Sequence, residues 1–78
     1  MQKLVEYIVK ELVDNKEAVK VVQTEDADGF VINVKVAPDE TGRVVGKSGK
    51  NAQAIRTIVR SLAGKHGYSD KKFIVKFD

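Results

Sequence analysis

Phe30, Ile32, Val34 and Val36 alternate with Val31, Asn33 and Lys35, and this period of two constrains the fold more tightly than any other feature of the sequence. Side chains of an extended strand point to opposite sides in turn, so the segment is a strand with one apolar face in a core and one face nearer water. The apolar face has to be covered. At 78 residues and with no cysteine, the chain has room for one compact domain and one core, without a disulfide framework or a thiolate metal site.

The covering material is also legible. Leu4, Val5, Ile8, Val9 and Leu12 recur at helical spacing with Lys3, Glu6, Lys10 and Glu11 between them, which predicts an amphipathic helix ending near Asp14-Asn15. Val19, Val21, Val22 and Thr24 predict a strand over 18–25, and the polar turn Asp26-Ala27-Asp28-Gly29 joins it to the alternating strand as an antiparallel hairpin. Pro38 cannot donate to a ladder and stops that strand, and Asp39 is a suitable cap for a short helix running through Val45 and ending at Gly46. Ala52, Ile55, Ile58, Val59 and Leu62 give a third helix closed by Gly64 and Gly67. A last strand runs from Lys72 to Phe77, with Phe73, Val75 and Phe77 pointing one way and Ile74 partly buried on the other side. The expected fold is α+β, a single domain over 1–78 in the order α-β-β-α-α-β, with a three-stranded sheet and the helices packed on one face.

Charge is distributed unevenly. The formal net charge is only +3, from 14 basic and 11 acidic residues, yet between Arg43 and Lys65 the ionisable groups are all basic: Arg43, Lys47, Lys50, Arg56, Arg60 and Lys65. Such a segment suits a nucleic-acid partner. No apolar run is long enough to span a membrane, and Glu6 interrupts the region where a secretory signal needs an unbroken apolar core, so a soluble, cytoplasmic protein is expected.

Within the basic segment lies Gly46-Lys47-Ser48-Gly49, between two predicted helices. Two glycines three apart are common, and by themselves they mark only a helix-helix turn. In this setting, however, a tight turn leaves backbone N–H groups unpaired, and the following helix adds the positive end of its dipole, so the place attracts phosphate. Lys47 and Lys50 add mobile positive charge beside it. Val44, Val45 and Ala52 offer small apolar surfaces on which a base can lie, Asn33, Asn51 and Gln53 are candidates for base-edge hydrogen bonds, and Arg43, Arg56 and Arg60 are candidates for phosphate contacts. Phe30, Phe73 and Phe77 read as core, not as stacking platforms.

The stretch Gly42-Arg43-Val44-Val45-Gly46-Lys47-Ser48-Gly49-Lys50-Asn51-Ala52-Gln53-Ala54-Ile55 resembles the signature of KH domains, a GxxG loop between two helices. The element order resembles the prokaryotic, type II arrangement, and the whole of 1–78 is similar to the small bacterial single-KH proteins of the KhpA family. The resemblance implies a non-catalytic protein in which Gly46 and Gly49 clamp the backbone of about four nucleotides of single-stranded RNA, with the bases in an apolar groove beside the loop. It further implies that Val44, Val45 and Ile55 form that groove and that Lys47 is the basic loop residue. Also implied are a post-transcriptional or RNA-chaperone role, tied in some bacteria to elongation, division and cell shape, and pairing as a homodimer or with a larger KH protein, KhpB. No cofactor is implied.

Two other readings carry less. Gly42 to Ser48 has the look of a P-loop, but that loop needs four residues between its first glycine and Gly-Lys-Ser, and here there are three, with no strand before it. His66 is the only histidine and has no nearby acid pair, which leaves no candidate members for a metal site or a nucleophile-base pair. A protein-interaction module using the same loop and helix face is the alternative to RNA binding.

Overall fold

The computed structural model describes residues 1–68 and 70–78. Helix α1 spans Gln2–Leu12, strands β1 and β2 span Lys20–Glu25 and Gly29–Lys35, helices α2 and α3 span Thr41–Val45 and Lys50–Lys65, and strand β3 spans Lys72–Phe77. The sheet order is β1-β2-β3, with β1 antiparallel to β2 and β3 parallel to β2. The hairpin turn is locked by its first residue: Asp26 Oδ1 accepts from the backbone N–H groups of Asp28 and Gly29, at 2.8 and 3.0 Å. This is the bond pattern by which an aspartate mimics a backbone turn.

The helices cover one face of the sheet. The core joins Val5 and Val9 of α1, Ile55, Val59 and Ala63 of α3 and Val44 of α2 to Val21, Ile32, Val34, Phe73 and Val75 of the sheet. Phe30 and Phe77 pack at its margins, and the rings of Phe30 and Phe73, opposite each other in register, stack at 4.7 Å. Nothing covers the other face among the described residues, so Ile74, expected to be partly buried there, is 46% exposed and Val22 is 53% exposed.

Several boundaries differ from those expected. Helix α1 stops at Leu12, before Asp14-Asn15, because Val13 is extended (φ −116°, ψ 156°) and inserts its side chain into the core. The Glu40 carboxylate then accepts from the backbone N–H groups of Asp14 and Asn15, at 2.6 and 2.9 Å. Lys16–Ala18 form a single 3-10 turn, which delays β1 to Lys20. The short helix after Pro38 is split into a 3-10 turn, Pro38–Glu40, and α2, and Asp39 caps neither, since neither piece has a side-chain cap. Gly67 closes α3 as expected: its φ of +85° lets Tyr68 N–H reach Ala63 O at 2.8 Å and its own N–H reach Gly64 O at 3.3 Å. These are the two bonds of a Schellman ending, with Gly64 inside the last turn of the helix.

Candidate nucleic-acid interface

The loop between α2 and α3 is built from two helix ends. Helix α2 finishes when Gly46 N–H bonds to Gly42 O at 2.8 Å, and Asn51 Nδ2 takes the next carbonyl, Arg43 O, at 3.0 Å. Gly46 lies at φ 82°, ψ 169°, a backbone region that only glycine occupies readily. It is also packed from inside, because a Cβ there would stand 2.8 Å from Asn51 Cγ and 2.9 Å from Asn51 N. Ser48 (φ 56°, ψ 26°) and Gly49 (φ 74°, ψ 16°) are both left-handed, and Gly49 N–H returns to Gly46 O at 3.1 Å. A Cβ at Gly49 would meet no atom within 4 Å. Gly46 thus serves the internal fit of the loop, whereas Gly49 leaves a bare backbone facing open space.

Helix α3 begins directly after Gly49 and has no side-chain cap, so the positive end of a 16-residue helix dipole lies at the loop, although the Lys50 N–H is already taken by Lys47 O. Lys47, Ser48 and Lys50 are exposed there. Lys47 and Lys50 place mobile ammonium groups beside the start of α3, and among the described residues no group of acids and histidines is placed to hold a metal.

The remaining site residues divide. Val44, Ala52 and Ile55 are 1%, 3% and 2% exposed, so the apolar surface that the sequence offers to a base is mostly turned into the core, and of that set Val45 is the half-buried one beside the loop. Asn51 holds the loop shut through Arg43 O, a bracing role that its type alone did not suggest. Arg43 is engaged by Asp14 at 3.1 Å and Glu40 at 3.5 Å. Arg56 ties α3 to the sheet edge, its Nε and Nη2 donating to Val75 O at 3.3 and 3.2 Å with the guanidinium 5.6 Å from the Phe77 ring centre. Gln53 is exposed in the first turn of α3, and Arg60 is exposed about 15 Å further along the axis from Lys50. Asn33 pairs in register with Val22 and Lys76 on the uncovered sheet face, away from the loop.

A glycine turn between two helices, laid against a three-stranded sheet with one parallel and one antiparallel pair, defines a KH-type domain. The chain belongs to the family described as KhpA/KhpB, KH domain, whose sequence model matches residues 2–77. It is 41% identical over 76 residues to the RNA-binding protein KhpA of Clostridium perfringens, covering 97% of each chain. It is 48% identical over 65 residues to RNA-binding protein KhpA of Caldanaerobacter subterraneus subsp. tengcongensis, covering 83% of this chain and 87% of the relative. To RNA-binding protein KhpA of Aquifex aeolicus it is 43% identical over 67 residues, covering 86% and 85%. No solved structure matches the chain significantly. The family is not one of enzymes, and among the described residues no helix is long and apolar enough to cross a membrane.

Proposed function

We propose that the protein binds single-stranded RNA without catalysis, holding the sugar-phosphate backbone of about four nucleotides at Gly46-Lys47-Ser48-Gly49. The observation that carries this reading is Gly49: left-handed, with free space where a Cβ would project, at the uncapped start of α3. A phosphate there meets the positive end of the α3 dipole, with Lys47 and Lys50 as mobile counter-charges, while the Gly49 and Lys50 N–H groups brace the loop through Gly46 O and Lys47 O. Gly46, Lys47, Ser48, Gly49 and Lys50 are the proposed contact set, with Val45, Asn51 and Gln53 the proposed neighbours of an adjacent base. Val44, Ala52 and Ile55 form the packed floor beneath. Arg43 and Arg56 contribute positive potential from positions fixed by their protein partners. The relatives' name, RNA-binding protein KhpA, supports RNA as the class of ligand. A cytoplasmic, post-transcriptional role follows from that ligand, and pairing with another KH chain, of its own kind or of the KhpB kind, has an apolar surface available in Ile58, 41% exposed on α3.

The test is a titration of short labelled RNA against the protein and a Lys47→Asp, Ser48→Asp double variant, with sedimentation of the same samples to read pairing. Aspartate accepts the left-handed backbone of position 48 better than most residues, so the loop keeps its shape while its charge inverts. Loss of RNA binding by the folded variant is expected; unchanged binding would overturn the assignment.

A further inference from the structure

The uncovered face of the sheet is a basic surface that the loop does not use. Along β1, Lys20 and Val22 point outward; along β2, Val31, Asn33 and Lys35; along β3, Lys72, Ile74 and Lys76. Lys20 and Lys35 are directly opposite in the antiparallel ladder, an arrangement that costs stability because like charges face each other. Among the described residues none of the four lysines is in a salt bridge, and all four are exposed. The three strands place no acid on this face; Asp78 follows β3 at the Lys35 end, and Asp26 and Asp28 of the hairpin share a cleft with Val31, Lys72 and Ile74 at the other end, so the unopposed charge is that of Lys20, Lys35 and Lys76. Between the lysines, Thr24, Val31 and Ile74 form one row across the strands and Val22 and Asn33 the next, with Lys76 at its end.

We propose that this face is a second contact surface for single-stranded RNA, its lysines holding phosphates and Val22, Val31 and Ile74 receiving bases as the strand runs on from the glycine loop. The inference rests on the loop reading for the identity of the ligand. Charge complementarity selects the occupant: unpaired lysines set against one another are stabilised by a polyanion. A second copy of the chain seated face to face would oppose lysines with lysines. Topology supplies continuity. Arg56 lies over Val75 and Phe77, and Ala63 and Gly64 share a cleft with Phe73, so α3 runs antiparallel to β3. The start of α3 and the loop before it therefore project past the C-terminal end of β3, the end where Lys35 and Lys76 lie.

The experiment compares RNAs of about 5 and about 15 nucleotides, the first long enough only for the loop, across a fourfold range of salt. The proteins are the wild type, a Lys20→Gln, Lys35→Gln, Lys76→Gln triple variant, the single variant Lys20→Glu, and the Lys47→Asp, Ser48→Asp loop variant. Removing three phosphate contacts from a single strand lowers the log-log salt slope by about 2, so the triple variant is expected to bind the long RNA roughly tenfold or more weakly at low salt and the short RNA unchanged. Lys20→Glu replaces a like-charge pair by an opposite one, so its melting temperature rises slightly while its affinity for long RNA falls, a combination that a purely structural role does not produce. Unchanged long-RNA affinity and slope in the triple variant overturn the proposal and leave the face to an acidic protein, with the loop reading intact. If instead the loop variant binds both RNAs as the wild type does, the loop reading fails, and the triple variant's long-RNA slope alone decides the face. No binding of either RNA by the wild type overturns both.

Discussion

A Cβ at Gly46 would press on the backbone nitrogen and side chain of Asn51, whereas one at Gly49 would enter free space, so the two glycines of the loop separate stability from binding. Gly49→Ala incurs only the left-handed backbone cost, about 1 kcal/mol, and leaves a methyl group where a phosphate would approach. Gly46→Ala combines a backbone region closed to alanine with a steric clash and is expected to cost roughly 3 kcal/mol, with no relief from truncating Asn51, because its backbone N stands at 2.9 Å. Thermal melting and RNA titration of both variants check this: Gly49→Ala should melt close to the wild type and bind RNA poorly, and a Gly49→Ala protein that binds normally argues against backbone contact there. At this scale the loop was legible because its glycines sit between two helical patterns. What Val44, Ala52 and Ile55 do was not, since an apolar residue at a helix end fits an open groove and a closed core equally well, and burial depends on the layer beneath.

Among the elements, the join of α1 to the rest depends on Glu40, the buried acid, which receives two backbone N–H groups from 25 and 26 residues upstream and is approached by Arg43. Hydrogen bonds to a charged acceptor are worth more than neutral ones, so Glu40→Ala is expected to cost about 2 kcal/mol and lower the melting temperature by roughly 10 °C. Glu40→Gln, which keeps one acceptor oxygen, should lose about half as much. Denaturant unfolding of the three proteins checks the order, and equal stability of wild type and Glu40→Ala would show that water satisfies Asp14 and Asn15 as well as the carboxylate does. The hairpin, the third helix and the last strand could be read from local signals, because Asp26, Gly67 and the period-two alternation act within a few residues. The end of α1 could not: its causes are the extended Val13 in the core and a carboxylate far along the chain, and neither leaves a mark at Asp14.

For the molecule as a whole, alternation in β2 shows that the sheet has two faces but not how many are covered, which is why Ile74 emerges exposed on a face bare of helices. Once one layer of helices buries Val5, Val9, Ile55 and Val59 against the sheet, a chain of 78 residues has little left with which to build another. Small size also makes ligand binding visible as stability. Unfolding entropy scales with length, so at 78 residues each kcal/mol moves the melting temperature by about 6 °C. Short RNA held at about 100 times its Kd at the midpoint adds about 2.7 kcal/mol if it binds only the folded chain, a rise of roughly 16 °C. The Lys47→Asp, Ser48→Asp variant should show little of that rise. A polyanion attracted merely by net charge binds the unfolded chain, with the same 14 basic residues, nearly as well and shifts the midpoint little. Differential scanning calorimetry with and without RNA therefore distinguishes recognition by the folded loop from attraction to charge, and a wild-type shift of only one or two degrees under these conditions would count against the loop.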